Sequence, residues 1–192
     1  MNNTIIYLIG HYGVGKLTIG KAICAATGAR LFDNHLANNV IFSLIRADGT
    51  TPLPDRVWDM IGVIRGQALL AMEELAEPEA SFVLTNSLLE GDPRDQAAYD
   101  KVLSVAGRRG AIFVPVILTA SDAAHAARMA NPDRAERLKH TDVDSAWRKR
   151  RETVLLKVDH PNRLDLDTTN LPEVEAAQLI MEHAERPAAQ ER

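Results

Sequence analysis

The chain has 192 residues, of which 46% are hydrophobic and 25% charged, with a formal net charge of −4. This is room for one domain with a substantial core, and the acidic balance gives no general pull toward nucleic acid or an anionic membrane. The single cysteine, Cys24, excludes an intramolecular disulfide and reads as a small packing residue. The aromatic content of 5% leaves little for stacking on bases.

In chain order, Thr4 to Ile9 is a β-branched apolar run that predicts a first strand. A helix is expected from Lys16 to Ala26, stopped by Gly28. Arg30 to Asp33 predicts a short second strand ending on a carboxylate. Leu36 to Arg46 predicts a helix with Val40, Ile41, Leu44 and Ile45 on its apolar face, and 48–52 is a turn cluster. A longer helix is expected from Pro54 to Leu75, with Val57, Ile61, Ile64, Ala68 and Met72 at helical spacing. Ser81 to Thr85 predicts a buried strand, followed by a helix from Asp92-Pro93 to Ala106. Ala111 to Leu118 predicts another buried strand in which Pro115 is awkward, because a central strand uses its N–H groups. Ser121 is placed to cap a helix reaching Met129. Residues 130–141 are polar and basic, Asp142 opens a further helix toward Leu156, Arg163 to Asp167 alternates as a last strand, and Pro172 to His183 predicts the final helix. The tail from Pro187 is expected to fray.

Strands alternating with helices predict a parallel sheet covered on both faces, with any ligand at the C-terminal strand ends. The first strand end carries Gly10-His11-Tyr12-Gly13-Val14-Gly15-Lys16-Leu17-Thr18, a full G-x-x-x-x-G-K pattern between strand and helix. Gly10, Gly13 and Gly15 are expected to use positive φ and close approach, so that successive N–H groups point at an anion. Lys16 supplies a mobile positive charge for terminal phosphates. Leu17 stands where Ser or Thr ordinarily meets Mg²⁺, and the hydroxyl comes one place later in Thr18. Asp33, one strand away, can reach an acceptor hydroxyl or a water on Mg²⁺. His35 and Asn86 follow the second and third strands and are candidate substrate contacts. Arg65 is expected on the polar side of its helix. Arg128, Arg134, Arg137 and Lys139 form a basic segment able to close over migrating phosphate and exclude water. Ser121 and Asp92 read as helix caps.

With these residues in view, the chain resembles the P-loop kinases of small metabolites and nucleotides, the shikimate, gluconate and adenylate kinase group. The resemblance rests on 10–18, Asp33, the basic 128–139 segment and Leu166-Asp167-Thr168-Thr169. It implies an α/β P-loop NTPase fold with a five-stranded parallel sheet in one domain, 1–186. An acceptor-binding helical region would span 34–78, a lid 128–141, and a flexible tail 187–192. It further implies ATP and Mg²⁺, with Asp33 as acceptor ligand and general base and Arg65 holding an anionic acceptor group. Arg128 would lie over adenine, with the loop bearing Leu171 on its other side, and Arg134 or Arg137 would stabilise the transferring phosphoryl. The chain departs from the family at Leu17, lacks the glycine triplet of shikimate kinases after the third strand, and shows no match to the arginine pairs that grip a nucleoside monophosphate.

The expected function is ATP-dependent phosphoryl transfer to a small hydroxylated or anionic metabolite in the cytoplasm, with neither nucleic acid nor membrane as partner. The alternatives are a nucleotide-binding regulatory module, a degenerate kinase, or a partner-coupled NTP hydrolase. Acceptor identity, ATP over GTP, and oligomeric state are not legible in the residues.

Overall fold

The computed structural model describes residues 1–48, 51–129 and 151–186. Five strands, β1 (Thr4–Ile9), β2 (Arg30–Phe32), β3 (Phe82–Asn86), β4 (Ile112–Thr119) and β5 (Leu164–Asp167), form one parallel sheet in the order β2-β3-β1-β4-β5. Six described helices connect or follow them: α1 (Lys16–Thr27), α2 (Asn34–Phe42), α3 (Asp55–Glu74), α4 (Pro93–Arg109), α5 (Asp122–Met129) and α6 (Glu173–Glu185).

The central strands β1, β3 and β4 are buried along almost their whole length, and mostly apolar, because both sheet faces are covered. Side chains alternate across the pleat. Ile5, Tyr7 and Ile9 join Phe82, Leu84 and Phe113 under α3 and α4, while Ile6, Leu8, Val83 and Val116 meet α1 and α6 on the other face. Cys24 packs at the edge of the second cluster. A smaller cluster, Ala37, Val57 and Ile61, joins α2 to α3 beside the sheet.

Several expected boundaries move, each for a visible reason. Asp33 leaves β2 and instead caps α2, its Oδ1 accepting the His35 N–H at 2.8 Å. The α2 helix ends at Phe42 rather than Arg46, with Ser43 at its C-cap. Its buried face is Ala37 and Asn38, and the expected apolar residues Leu44 and Ile45 are exposed. On α3 the buried residues are Val57, Ile61, Leu69 and Met72, so the apolar stripe runs slightly round from the one expected. Arg65 lies on that inner side and is half-buried, against the expectation of a polar face. The β3 strand runs one residue further, to Asn86, because Asn86 pairs with Ile9 of β1, and α4 continues to Arg109 before Gly110 stops it. The Gly28 stop and the Ser121 and Asp92 caps fall where expected. Apart from Arg128 and Met129, the lid residues 128–141 and most of the expected 142–156 helix lie outside the described residues.

Pro115 sits in β4 opposite Tyr7. The Asn162 side chain donates to the Phe113 carbonyl at 3.1 Å, on the side where β5 begins. Residues two apart on a strand direct their backbone groups to the same side. Pro115 therefore lacks an N–H toward β5, one residue before that ladder starts at Val116 opposite Leu164. No ladder bond is lost.

Tyr7 and Tyr99 stack with ring centroids 6.4 Å apart, and Tyr99 meets Phe113 edge-on. Burial pushes both phenols from 10.0 up to about 12. Below pH 10 folded and unfolded chains alike keep these protons. Above it the unfolded chain releases them first, so stability falls as pH rises and levels off near pH 12, where the folded phenols ionise too. The expected slope is about 1.4 kcal/mol per pH unit for each tyrosine. Denaturant titrations between pH 10 and 12 should show that slope roughly halved in Tyr7→Phe.

Candidate functional site

Register brings the strand ends together. Ile9 pairs with Asn86 on one side and Ile117 on the other, so Gly10 lies level with Ser87 and Leu118. Phe32 pairs with Leu84, which sets Asp33 beside Thr85, and the Asn34 N–H donates to Thr85 Oγ1 at 3.1 Å. The strand order reverses beside β1, the place where open α/β sheets bind ligands.

The glycine-rich loop needs its glycines for two different reasons. Gly15 is in the left-handed region at φ 94° as the N-cap of α1, and Gly13 is similar at 79°. Gly10 is not in that region, which corrects the expectation for it. A Cβ there would lie 2.6 Å from the Leu118 carbonyl oxygen and 2.8 Å from Val14 Cγ2, so only glycine fits between β1 and β4. No side chain caps the start of α1, and its first turn holds no acid. Those N–H groups and the helix dipole are left to an anion. Lys16 curls back over the loop, its Nζ donating to the carbonyls of Gly10 and His11 at 2.6 and 2.7 Å.

A cavity of about 480 Å³ lies over this loop. Its walls include Lys16, Leu17, Thr18, Asp33, Arg128 and Leu171, together with Gly13, Val14 and Gly15. A second cavity of about 1170 Å³ opens between α2, α3 and the start of α4. Tyr12, Asn34, His35, Asn86 and Ser87 line both, so the two chambers meet at the ends of β2 and β3. A third hollow, near Met1 and His160, lies at the opposite edge of the sheet and contains none of the expected site residues.

Arg65 reaches the larger chamber from α3. Its guanidinium donates to the side-chain oxygens of Asn34 and, at 3.3 Å, Asn38. Burial lowers its pKa, with Tyr7 and Asp95 pulling the other way. Both hydrogen-bond partners are neutral amides, and among the described residues no carboxylate forms an ion pair with it. Its positive charge is thus held in place by neutral groups. The chamber wall also includes the Trp58–Phe42 edge-on pair and a bare strip of α3 at Gly62 and Gly66, where an added Cβ would meet nothing within 4 Å. Asn86, by contrast, is anchored: its Nδ2 donates to Tyr7 Oη at 3.1 Å and its Oδ1 accepts the Ser87 N–H.

Sequence reasoning named Thr168 only as part of the run after the last strand and gave it no role. Its side chain is buried, and its hydroxyl lies 2.9 Å from both the Val14 and Thr119 carbonyls, one proton serving the two. It also accepts from Arg128 Nη1 at 3.0 Å, while Arg128 Nη2 donates to the Thr168 carbonyl. A single hydroxyl thus joins the phosphate loop, the end of β4 and the end of α5. The available signal was its place directly after the last strand. Arg134 and Arg137 lie outside the described residues.

This is the fold of the P-loop small-molecule kinases. A gluconokinase from Sinorhizobium meliloti superposes with TM-score 0.66 at 21% identity, covering 97% of this chain and 94% of that one. A sugar kinase from Janibacter matches with TM-score 0.59 at 16% identity (95% and 96% covered), and a shikimate kinase from Aquifex aeolicus with 0.54 at 13% (94% and 95%). At these identities the likeness is one of fold. No family model and no curated protein matches the sequence. Among the described residues no helix is long and apolar enough to cross a membrane.

Thr168→Val should leave the Val14 and Thr119 carbonyls to share one fewer donor and cost about 1–3 kcal/mol of stability in urea. The same variant should weaken nucleotide binding, measured by calorimetry, because the loop loses its tether and Arg128 its partner.

Proposed function

We propose that the chain is an ATP-dependent phosphotransferase whose acceptor is a small hydroxylated metabolite carrying an anionic group. The observation that supports this best is the junction of two chambers, one built on the phosphate loop and walled by Asp33, the other holding the Arg65 guanidinium, with the neighbouring His35 lining both. Donor and acceptor bound side by side is the arrangement that in-line phosphoryl transfer requires.

In this reading the loop N–H groups and Lys16 hold the β- and γ-phosphates, and Lys16 exchanges its contacts with the Gly10 and His11 carbonyls for phosphate oxygens. Arg128 and Leu171 border the nucleotide base. The acceptor oxygen forms a bond to the γ-phosphorus as the bond to the β–γ bridging oxygen breaks, and ADP leaves with that oxygen. Asp33 takes the acceptor proton, its carboxylate oriented by the His35 N–H. Catalysis is positioning and charge neutralisation rather than covalent chemistry. Arg134 or Arg137 would add charge at the migrating group.

The donors present fit a phosphate-borne Mg²⁺. Among the described residues no cluster of three acids, histidines or cysteines could hold a metal alone. Mg²⁺ in such sites uses one or two protein oxygens, substrate phosphates and water, and Thr18 and Asp33 both line the cavity with oxygens to offer. When bound, the ion would neutralise charge on the β- and γ-phosphates. The apolar Leu17 in the same wall favours a second reading, a nucleotide-binding module without transfer.

Mg·ATP consumption by wild type and Lys16→Ala, across sugar acids, sugars, nucleosides, nucleotides and neutral alcohols, tests the proposal. Acceptor-dependent ADP release abolished in Lys16→Ala is expected. ATP binding with no acceptor response, together with transfer appearing only in Leu17→Ser, would establish the second reading instead. Among active acceptors, Arg65→Ala should raise KM for anionic ones roughly 10- to 100-fold, the value of a charge-assisted bond, and leave neutral ones nearly unchanged.

A further inference from the structure

The outer face of α3 carries a pattern that the core does not use, although two of its residues, Val63 and Gln67, also border the larger chamber. Arg56, Met60, Val63, Gln67, Leu70 and Glu74 are all exposed, and they recur at alternating spacings of four and three along the helix. At ~100° per residue this places them on one narrow stripe, the a/d seam of a coiled coil. Met60 is 46%, Val63 66% and Leu70 40% exposed, a row of large apolar side chains facing solvent. The core residues Val57, Ile61, Leu69 and Met72 and the chamber residue Arg65 occupy the opposite side. Arg56 and Glu74 at the two ends make no hydrogen bond or ion pair with the described residues.

The stripe is complementary to itself in one orientation. Laid antiparallel on a second α3 about a two-fold axis at the level of Arg65, Arg56 meets Glu74, Met60 meets Leu70 and Val63 meets Gln67, each layer pairing an a with a d position as antiparallel coiled coils do. Opposite charges close both ends and the apolar layers lie between them. Gln67, the polar residue flanking the axis, is of the kind that fixes register at some cost in stability. A parallel arrangement would instead oppose Arg56 to Arg56 and Glu74 to Glu74.

We propose that the outer face of α3 is a homodimer interface in which two α3 helices pair antiparallel with Arg56 against Glu74 of the second copy. The occupant is a second copy of this chain, because the order of charges and apolar residues along the stripe matches its own reverse. The inference is independent of the reaction catalysed.

Sedimentation over a concentration series tests it. Wild type should be a dimer and Val63→Glu a folded monomer of unchanged helix content, whose melting temperature no longer rises with concentration. Arg56→Glu and Glu74→Arg should each weaken the dimer about tenfold, since each replaces two attractive contacts by two repulsive ones, and the double reversal should restore it. In a Cys24→Ser background, oxidation of Met60→Cys/Leu70→Cys should give covalent dimers, and neither single variant should. The two positions lie ~15 Å apart along one helix, beyond the span of a disulfide within a chain. A wild-type monomer at every concentration, a dimer indifferent to Val63→Glu, failure of the double reversal to rescue, or crosslinking by either single cysteine would overturn the proposal.

Discussion

The register of β1 against its two neighbours governs the rest of the molecule. With Ile9 level with Asn86 and Ile117, the glycine-rich loop must turn directly over the ends of β3 and β4. That closeness explains Gly10, which has the Leu118 carbonyl where a methyl group would otherwise sit. It also explains Thr168, which reaches Val14 and Thr119 with one hydroxyl because β5 ends beside β4 at the same level. A slip of one residue in either ladder would turn the apolar sets to the wrong faces and separate these ends. Core packing and site assembly are set by a single alignment.

Much of this was readable in the residues. The alternation of apolar runs with helical periods marks a parallel sheet, and the loop from Gly10 to Lys16 marks which strand end matters. Continuous apolar runs such as Ile5 to Ile9 also announce burial on both faces. What escaped were features that depend on depth and on partners distant in sequence. Arg65 reads as a solvated residue on its helix until α2 supplies Asn34 and Asn38. Asp33 reads as a strand end until its carboxylate is seen capping α2. Leu44 and Ile45 suggest a buried face, yet α2 stops at Phe42 and its shallow contact with α3 needs only Ala37, Asn38 and their neighbours. Thr168 carried no signal beyond position, because its role is defined by Val14, far earlier in the chain.

The α3 helix links two requirements that are ordinarily separate. Its inner face supplies Val57 and Ile61 to a small satellite core, and Arg65 with the Gly62–Gly66 strip to the larger chamber. Leu69 and Met72, near its C-terminal end, join the main core, while Val57 and Ile61 meet the sheet only through the cluster that includes Phe32 of the edge strand β2. The half of α3 that lines the chamber rests on α2 and on Phe32 at the edge of the sheet, and its first residue, Asp55, is paired with Arg94 of α4. The glycine-rich loop stands on the ends of the central strands, whereas the larger chamber is walled by a helix pair at the edge of the sheet.

The Tyr7–Asn86 hydrogen bond has a consequence for how such a protein can diversify. It runs from the middle of the sheet core to a wall shared by both chambers, so a change at Asn86 that altered what the chamber accepts would also strip a buried phenol of its partner. Selectivity and foldability are coupled at that position, and drift there is penalised whatever ligand it would favour. At Gly62 and Gly66 the coupling is absent, since side chains added there would project into open space and replace glycines that weaken a helix. On this scaffold the shape of the larger chamber is cheap to change along α3 and expensive to change at the end of β3.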